Sequence, residues 1–221
     1  MGIEQTPLVR IVDDEESVRR SERFVFAIIG LETACYESAE EFLEKDDPGR
    51  PGCLILDLRM KGMSGLELQQ AMLEAGNELP VIFLSGHGTV NTAVFALKRG
   101  ACDFLEKPVR PEKLQAIAKA MIERDLENRK KKAARENLRA RYEALTDRER
   151  EVLLLVAQDR MNKQIASELG IAEHTVKIHR GNALYKMQIR SAIEAHDAMA
   201  SLGLLDKGPC ESGKEGGSGR P

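Results

Sequence analysis

The sequence predicts an α/β fold, a doubly wound five-stranded parallel sheet, with a small all-α domain at the end of a long helical linker. Short, continuously apolar runs such as 53–56 are typical of strands buried on both faces of a parallel sheet. Helical patterns separate these runs, so strand and helix alternate five times. Composition also changes along the chain: residues 1–122 hold 14 Lys and Arg against 20 Asp and Glu, and the remainder holds 19 against 16. Two domains with separate roles are therefore expected.

The elements of the first domain follow one another in order. An apolar stripe at helical spacing predicts the first helix, with Gly30 as its C-terminal cap, and the stripe consists of Val18, Val25, Ile28 and Ile29. Two Ser-x-x-Glu capping boxes start the next two helices, and a proline opens the last one. Strands are expected at 8–12, 31–36, 53–56, 80–84 and 103–106. Helices are expected at 17–29, after the boxes Ser38/Glu41 and Ser64/Glu67, at 89–98, and from Pro111 onward.

Residues 112–142 contain neither proline nor glycine, which favours one long helix. A partly frayed, solvated helix fits the same composition, because the apolar stripe of Leu126, Ala134, Leu138 and Tyr142 is thin. The last residues, rich in Gly, Ser, Lys, Glu and Pro, are too polar to fold. The expected bounds are 1–122 for the first domain, 123–143 for the linker, 144–205 for the second domain and 206–221 for a disordered tail.

The second domain is predicted to be a series of short helices. Thr146 and Glu149 make a capping box at the start of the first of them. Asn162 is expected to cap the next helix. A glycine-containing turn then leads into a helix over 173–187. The two helices and the turn between them form the pattern of a helix-turn-helix. A last helix starts at the capping box Ser191/Glu194.

The helix over 173–187 has an apolar side and a polar side. The apolar side, Val176, Ala183, Leu184 and Met187, is expected to face the core. Donors on the polar side could reach phosphates and base edges in a DNA major groove, although a merely solvated face explains the charge pattern equally well. The outward residues are His174, Thr175, Lys177, His179, Arg180 and Asn182.

Polar groups follow four of the predicted strands, at the edge where parallel strands all end. Asp13 and Asp14 close the first, Asp57 the third, Ser85 the fourth and Lys107 the fifth. Ligands of open parallel sheets lie beyond this edge. Clustered carboxylates need a cation, and an all-oxygen set suits Mg²⁺ or Mn²⁺. The hydroxyl and the ammonium could then hold a phosphoryl group on Asp57, although a single Asp that closes a strand is more often a turn former.

The first domain resembles the receiver domain of two-component response regulators, which has a flavodoxin-like fold. The resemblance covers about residues 8–122, and the spacing of the four strand-end groups also resembles that family. The residues that carry it are Ile11-Val12-Asp13-Asp14-Glu15, Leu54-Ile55-Leu56-Asp57-Leu58-Arg59-Met60, Met63-Ser64-Gly65, Phe83-Leu84-Ser85-Gly86-His87-Gly88 and Asp103-Phe104-Leu105-Glu106-Lys107-Pro108.

This resemblance implies a phosphorylation switch. The phosphohistidine of a sensor histidine kinase would donate its phosphoryl group to Asp57. Lys107 would pair with the phosphoryl oxygens, Ser85 would donate a hydrogen bond to them, and Phe104 would report the change at the surface. The implied metal ligands are Asp13 or Asp14, Asp57 and the backbone carbonyl of Arg59. An apolar patch on the helix over 89–98, beside the strand that carries Phe104, suggests that phosphorylated receivers pair through this helix and the fifth strand, with Val90, Val94 and Phe95 near the contact.

Residues 145–202 resemble the LuxR-type helix-turn-helix, and the whole chain resembles the FixJ-like and StyR-like regulators. The matching residues are Leu145-Thr146-x-Arg148-Glu149-x-Glu151-Val152-Leu153, Asn162-Lys163-x-Ile165-Ala166, Leu169-Gly170-Ile171 and Thr175-Val176-Lys177-x-His179-Arg180. The resemblance adds Lys163 to the DNA-binding set, and it implies that the helix over 191–202 pairs two DNA-binding domains. The departures are Ser85 for Thr, Asp159 for Gly, Ala172 for a capping Ser, and Glu22 on the apolar face of the first helix.

The expected function is phosphorylation-dependent regulation of transcription, with activation as the output. The expected partners are a sensor kinase, double-stranded promoter DNA, a second copy of the chain and RNA polymerase. A protein-interaction module is the alternative, but Lys163, Lys177 and Arg180 argue against it, because protein interfaces deplete Lys at their centres. A separate enzymatic output is not expected, since no nucleophile-base pair follows residue 122, and the receiver would assist only its own phosphoryl transfer.

The sequence also limits where the chain is expected to act. No apolar run approaches the length of a membrane span, and the N-terminus lacks the form of a signal peptide, so a cytoplasmic protein is expected. The four cysteines show no Cys-x-x-Cys spacing, which disfavours a zinc or redox site.

Overall fold

The computed structural model describes residues 6–86 and 103–205. The chain divides into two compact units between Lys130 and Lys131, within the segment predicted as the linker. Among the described residues, no helix is both long and apolar enough to cross a membrane. The predicted helix over 89–98 and the predicted tail lie outside the described residues.

The first unit contains the predicted five-stranded, all-parallel sheet, in the order β2-β1-β3-β4-β5. The central strands are buried along nearly their whole length, as their apolar runs predict. The fold class is therefore confirmed. The strands are β1 (Leu8–Val12), β2 (Glu32–Tyr36), β3 (Gly52–Asp57), β4 (Val81–Ser85) and β5 (Asp103–Glu106).

Helices cover both faces of this sheet. Alternate residues of β3 enter two separate cores, Leu54 and Leu56 on one face and Cys53 and Ile55 on the other. The first face is covered by α2 and α3, and the second by α1 and the start of α4. The helices of this unit are α1 (Glu16–Ala27), α2 (Ala39–Lys45), α3 (Gly65–Glu74) and α4 (Pro111–Glu143).

The inward face of α1 differs from the predicted apolar stripe. The helix ends at Ala27, two residues earlier than expected, so Ile28 becomes its C-terminal cap and is 64% exposed. Phe26 is fully buried in its place, and the charged residue Glu22 is buried beside it on the same helix. The early stop changes which side chains face the sheet.

The segment 112–142 is helical throughout, as part of the single helix α4. Its first turns pack on the sheet through Leu114, Ala118 and Ile122. Residues 130–137 are all exposed, so residues with high helix propensity rather than core packing support the helix there. The predicted long helix is therefore observed.

The loop that leads into β3 is held from two sides. Arg10 on β1 is fully buried, and its Nε donates to Asp46 Oδ1 at 2.7 Å. The same guanidinium donates to the carbonyls of Asp47 and Arg50. Because an arginine cation pairs here with a carboxylate and with carbonyl oxygens, its burial is compensated.

The second side of this loop is held by α4. Asp125 is buried, and its Oδ2 accepts hydrogen bonds from the Gly52 amide at 2.9 Å and from Arg129 Nε at 2.7 Å. Arg129 also donates to the carbonyls of Pro48 and Gly49. Two residues one turn apart on α4 therefore fix the entry to the strand that ends at Asp57.

The second unit is a bundle of short helices around one apolar core. Residues of every helix contribute to it, including Val152, Ile165, Val176 and Met199. The capping box at Thr146 lies where the sequence predicts it, and Gly170 ends its helix in the left-handed conformation. Ser191 caps the last helix by accepting from the Glu194 amide, but the Glu194 side chain accepts from the Arg190 amide, so the reciprocal half of the predicted box is not formed. The helices are α5 (Asp147–Ala157), α6 (Asn162–Leu169), α7 (Glu173–Met187) and α8 (Ala192–Ser201).

The predicted cap of α6 is wrong by one residue. Met161 occupies the N-cap position, and its amide donates to the Gln164 side chain at 2.8 Å. Asn162 is the first helical residue, and its side-chain oxygen accepts a hydrogen bond from Arg180 at 2.9 Å. The side chain that would have capped the helix is used to join α6 to α7.

Candidate functional site

The sheet brings the predicted polar groups to one edge. Asp13 follows β1, Asp57 is the last residue of β3, Ser85 is the last residue of β4, and Lys107 follows β5. These four strands are neighbours in the sheet and run in the same direction, so their carboxyl ends meet. The edge is where an open parallel sheet binds its ligands.

Lys107 joins two of the predicted carboxylates. Its Nζ lies 2.6 Å from Asp13 Oδ2 and 2.6 Å from Asp57 Oδ1. All three side chains are at least three-quarters buried. Burial alone would lower the pKa of Lys107, but the hydrogen bonds with both carboxylates outweigh it and raise the pKa. The ammonium therefore stays charged and compensates the two acids.

The remaining carboxylate oxygens accept backbone hydrogen bonds. Asp13 Oδ1 accepts from the Glu15 amide at 2.9 Å, and Asp57 Oδ2 accepts from the Arg59 amide at 2.7 Å. Asp14, the third predicted acid, is partly exposed. Within residues 6–86 and 103–205, no three Asp, Glu, His or Cys side chains are arranged as ligands of one metal. Two acids instead share one ammonium.

The donor set nevertheless fits a hard divalent cation. Every oxygen of the Asp13 and Asp57 carboxylates has one protein hydrogen bond described above, and a carboxylate oxygen has two acceptor positions. Partly exposed Asp14 supplies further carboxylate oxygens at the same strand end. An all-oxygen set of this kind suits Mg²⁺.

The two predicted switch residues lie on adjacent strands. Ser85 is buried, and its backbone carbonyl accepts a hydrogen bond from the Lys107 amide at 2.8 Å. Phe104 on β5 is half-buried and packs against Phe83 of β4, with ring centroids 6.3 Å apart. The strand that carries Phe104 therefore leads directly into Lys107.

Gly65 is a positioning residue that the sequence reasoning did not single out for its geometry. The amide of Gly65 donates to the Leu58 carbonyl at 3.2 Å, which closes the loop after β3. A Cβ at this position would overlap the backbone carbonyl oxygen of Asp57 and lie 3.1 Å from the ring of Phe83. Only glycine therefore allows α3 to start so close to Asp57.

Glu22 is a buried acid near the same edge. Its side chain comes from α1 and is 8% exposed. Burial raises its pKa to about 8, and the Asp13 and Asp57 carboxylates add to the rise while Lys107 opposes it. The sequence already marked Glu22 as unusual, because it is a charged residue on the predicted apolar face of the first helix. At neutral pH, Glu22 is mostly protonated.

Replacement of Glu22 by glutamine is expected to change how stability depends on pH. The unfolded chain loses the Glu22 proton near pH 4.5, whereas the folded chain keeps it until about pH 8. The folded state therefore loses stability as pH rises through this window, with a limiting slope of about 1.4 kcal/mol per pH unit. Glu22→Gln should remove this loss. The free energy of unfolding of the variant, relative to that of the wild type, should therefore increase from pH 5 to pH 8.

Hydrogen exchange of the β1 and β3 amides at several pH values would measure this difference, after correction for the intrinsic exchange rate. Glu16→Gln is the matched control, since it makes the same change at an exposed position of α1. Parallel curves for the wild type and Glu22→Gln would show that the acid is ionised in the folded protein.

The polar side of α7 is accessible in the second unit. The predicted core residues Val176, Ala183 and Met187 are fully buried, and Leu184 is partly buried. His174, Lys177, Asn182 and, on α6, Lys163 are exposed, whereas Thr175, His179 and Arg180 are half-buried. The predicted polar face is thus present on α7.

Two of these residues have partners that the sequence did not reveal. Lys177 lies 3.2 Å from Glu173, one turn earlier, and both side chains are about half exposed. Such a surface pair contributes little and is easily exchanged for another anion. Arg180 uses one of its five donors on Asn162, which leaves the others for a ligand. Val90, Val94 and Phe95 lie outside the described residues.

This combination of a parallel sheet with an acid-lysine edge and a separate helix-turn-helix is found in known families. The family of response regulator receiver domains matches residues 9–119. The family described as bacterial regulatory proteins, luxR family, matches residues 143–199. The chain therefore belongs to the two-component response regulators that carry a LuxR-type DNA-binding domain, as its sequence predicts.

Individual relatives cover nearly the whole chain. Nodulation protein W of Bradyrhizobium diazoefficiens is 41% identical over 197 residues, which are 89% of this chain and 87% of the relative. The transcriptional regulatory protein FixJ of Azorhizobium caulinodans is 39% identical over 186 residues, or 84% and 88% of the two chains. The low-resolution structure of the response regulator StyR matches with a TM-score of 0.81 and 38% identity, over 88% of this chain and 98% of that one.

Family membership defines the protein in general terms. A receiver domain implies a histidine kinase as its partner, and a LuxR-type domain implies DNA. The family regulates transcription and is not a family of classical enzymes.

Proposed function

We propose that this chain is a DNA-binding regulator of transcription that is controlled by phosphorylation of Asp57. The observation that supports this most directly is the pair of 2.6 Å contacts from Lys107 to Asp57 and Asp13. They hold a cation against the acid that would receive the phosphoryl group. A lysine is seldom buried without a partner, and this partly buried one lies between two carboxylates at the ligand-binding edge of the sheet.

The arrangement supports phosphoryl transfer to Asp57. A carboxylate oxygen of Asp57 attacks the phosphorus of a kinase phosphohistidine, the O–P bond forms, the N–P bond breaks, and the imidazole leaves with its electron pair. Mg²⁺ would be held by Asp13 or Asp14, Asp57 and the backbone carbonyl of Arg59, and would supply charge that offsets the phosphoryl oxygens. Lys107 then exchanges its Asp57 oxygen for a phosphoryl oxygen.

Residues on the neighbouring strands β4 and β5 respond to the phosphoryl group. Ser85 donates its hydroxyl hydrogen to a phosphoryl oxygen, and Phe104, on the strand that leads into Lys107, reports the change at the surface. The charge added by phosphorylation is satisfied only in the switched arrangement, so it shifts the population between two receiver states. The proposed consequence is homodimerisation, promoter binding and activation of transcription, with RNA polymerase as a further partner.

Two substitutions on α7 are expected to separate sequence recognition from general DNA affinity. Lys177 lies in the second turn of α7, near the end that reaches base edges, whereas Arg180 lies further along and is better placed for phosphates. Lys177→Ala should reduce the discrimination between a cognate site and random DNA by about 1 to 3 kcal/mol. Arg180→Ala should weaken the binding of cognate and random DNA about equally. It should also reduce the slope of log affinity against log salt concentration by about one unit.

Affinities of the phosphorylated chain and both variants for both DNAs, over a salt series, would measure these effects. Glu173→Gln is a useful control, because it frees Lys177 without removing a cation. The proposed placement of α7 in the DNA groove is wrong if Arg180→Ala loses only the binding of cognate DNA while Lys177→Ala loses the binding of cognate and random DNA equally. An affinity that is independent of salt would instead favour the protein-interaction alternative.

The proposed receiver dimer has its own test. Val94→Asp puts a charge into the apolar patch predicted for the helix over 89–98, and burying an unpaired charge is costly. Phosphorylation should be retained and the phosphorylated dimer should be lost, which sedimentation of the acetyl phosphate-treated protein would measure. Unchanged dimers would move the proposed interface elsewhere.

A further inference from the structure

A pocket of about 330 Å³ lies between α1, the end of β4 and the segment that opens α4. This volume is at the lower end of the range of small-molecule sites. Its walls are largely apolar, with Val18 and Val25 on α1, Leu84 on β4, and Val109 and Leu114 on the opposite side. A compact ligand with an apolar body fits such a space.

Two ionisable side chains also line this pocket, Glu22 and Lys107. Lys107 is already hydrogen-bonded to Asp13 and Asp57. Glu22 is more than nine-tenths buried, yet its carboxyl group forms no hydrogen bond with any residue in the described ranges. Because Glu22 lines the pocket and forms no hydrogen bond with those residues, the pocket presents one group with unused binding capacity.

The two ionisable groups of the pocket differ in what they can offer a ligand. An anionic ligand would have to compete with the Asp13 and Asp57 carboxylates for Lys107, which is already shared by both. An ammonium group could instead donate to the Glu22 carboxylate in a charge-assisted hydrogen bond.

We propose that this pocket binds a small organic monocation, an ammonium group on a compact alkyl or arylalkyl body, through an ion pair with Glu22. On binding, the Glu22 carboxyl proton is released to solvent, and the ammonium hydrogens are donated to the resulting carboxylate. The apolar body packs between α1 and the segment 109–114. This inference does not depend on phosphorylation of Asp57.

The test uses the full chain at neutral pH and three probes with the same phenyl body: 2-phenylethylammonium, the neutral 2-phenylethanol and the anionic 3-phenylpropanoate. Protein-observed NMR titration measures each affinity. The ammonium probe is expected to bind at least about tenfold more tightly than the alcohol, because a charge-assisted hydrogen bond is stronger than a neutral one. The anion is expected to bind most weakly.

Variants locate the site. Glu22→Gln keeps the size of the side chain and should weaken the ammonium probe at least about tenfold while changing the alcohol by less than about twofold. Glu16→Gln removes the same charge from an exposed position of α1 outside the pocket, and should leave both affinities unchanged. Ser21→Leu enlarges an exposed residue that lines the pocket, and should weaken both probes.

Several results would overturn the proposal. They are equal affinity of the wild type and a folded Glu22→Gln for the ammonium probe, a preference for the alcohol or the anion, and no binding of the ammonium probe at millimolar concentration. Thermal unfolding of each variant shows whether it is folded. If Glu22→Gln does not fold, Ser21→Leu decides, because unchanged affinity of that variant for the ammonium probe also contradicts the site.

Discussion

Asp57→Asn is expected to abolish the incorporation of phosphate from acetyl phosphate. Asparagine has the size of aspartate but lacks the carboxylate nucleophile. Its amide oxygen can still accept the hydrogen bond from Lys107, but the NH₂ group would then face the Arg59 amide, which is also a donor. A modest loss of stability should therefore accompany a complete loss of labelling.

Mass spectrometry of the intact protein after treatment with acetyl phosphate would measure the labelled fraction. Glu106→Gln is a suitable control, since Glu106 is an exposed acid at the same edge of the sheet, opposite Ser85. That variant should be labelled like the wild type. Undiminished labelling of Asp57→Asn would show that another residue accepts the phosphoryl group.

Gly65→Ala is expected to destabilise the first unit by about 2 to 3 kcal/mol, because the added methyl group overlaps backbone and cannot be relieved by a side-chain rotation. The atoms it meets are the Asp57 carbonyl oxygen and the ring of buried Phe83. To accept the methyl group, either α3 or the end of β3 must move. Phosphorylation should also slow, because the displaced segment carries Asp57.

Gly86→Ala is the matched control, since Gly86 is also close to the sheet edge but a Cβ there meets no atom of residues 6–86 or 103–205 within 4 Å. Its effect should remain within about 0.5 kcal/mol. Hydrogen exchange of the β1 and β3 amides measures the stability of this unit separately from the helical one. If the two variants are equally stable, the backbone at Gly65 is freer to move than its contacts indicate.

Much of this fold could be predicted because its signals are local. Each strand is a short apolar run, and each capping box lies within one helical turn, so neighbouring residues suffice to identify them. The ends of helices were less predictable. Ile28 looked like a core residue of α1, but the helix stops before it, and Met161 instead of Asn162 begins α6. These positions depend on contacts with distant residues.

The candidate site was predictable in its members but not in its pairings. Parallel strands bring their ends together, so Asp13, Asp57 and Lys107 were expected at one edge. That one ammonium bonds two carboxylates depends on distances across three strands, which spacing along the chain does not contain. For the same reason, the contact between Gly65 and the Asp57 carbonyl and the isolation of Glu22 became visible only in three dimensions.

The hydrogen bonds from α4 to the loop before β3 determine where this protein can be divided or recombined. A receiver fragment that ended at residue 122 would retain the sheet but lose Asp125 and Arg129. The Gly52 amide and the carbonyls of Pro48 and Gly49 would lose their partners, at the entry to the strand that carries Asp57. Chimeric regulators should therefore be joined after Lys130, in the exposed turns of the same helix, because residues 131–137 take no part in the described cores.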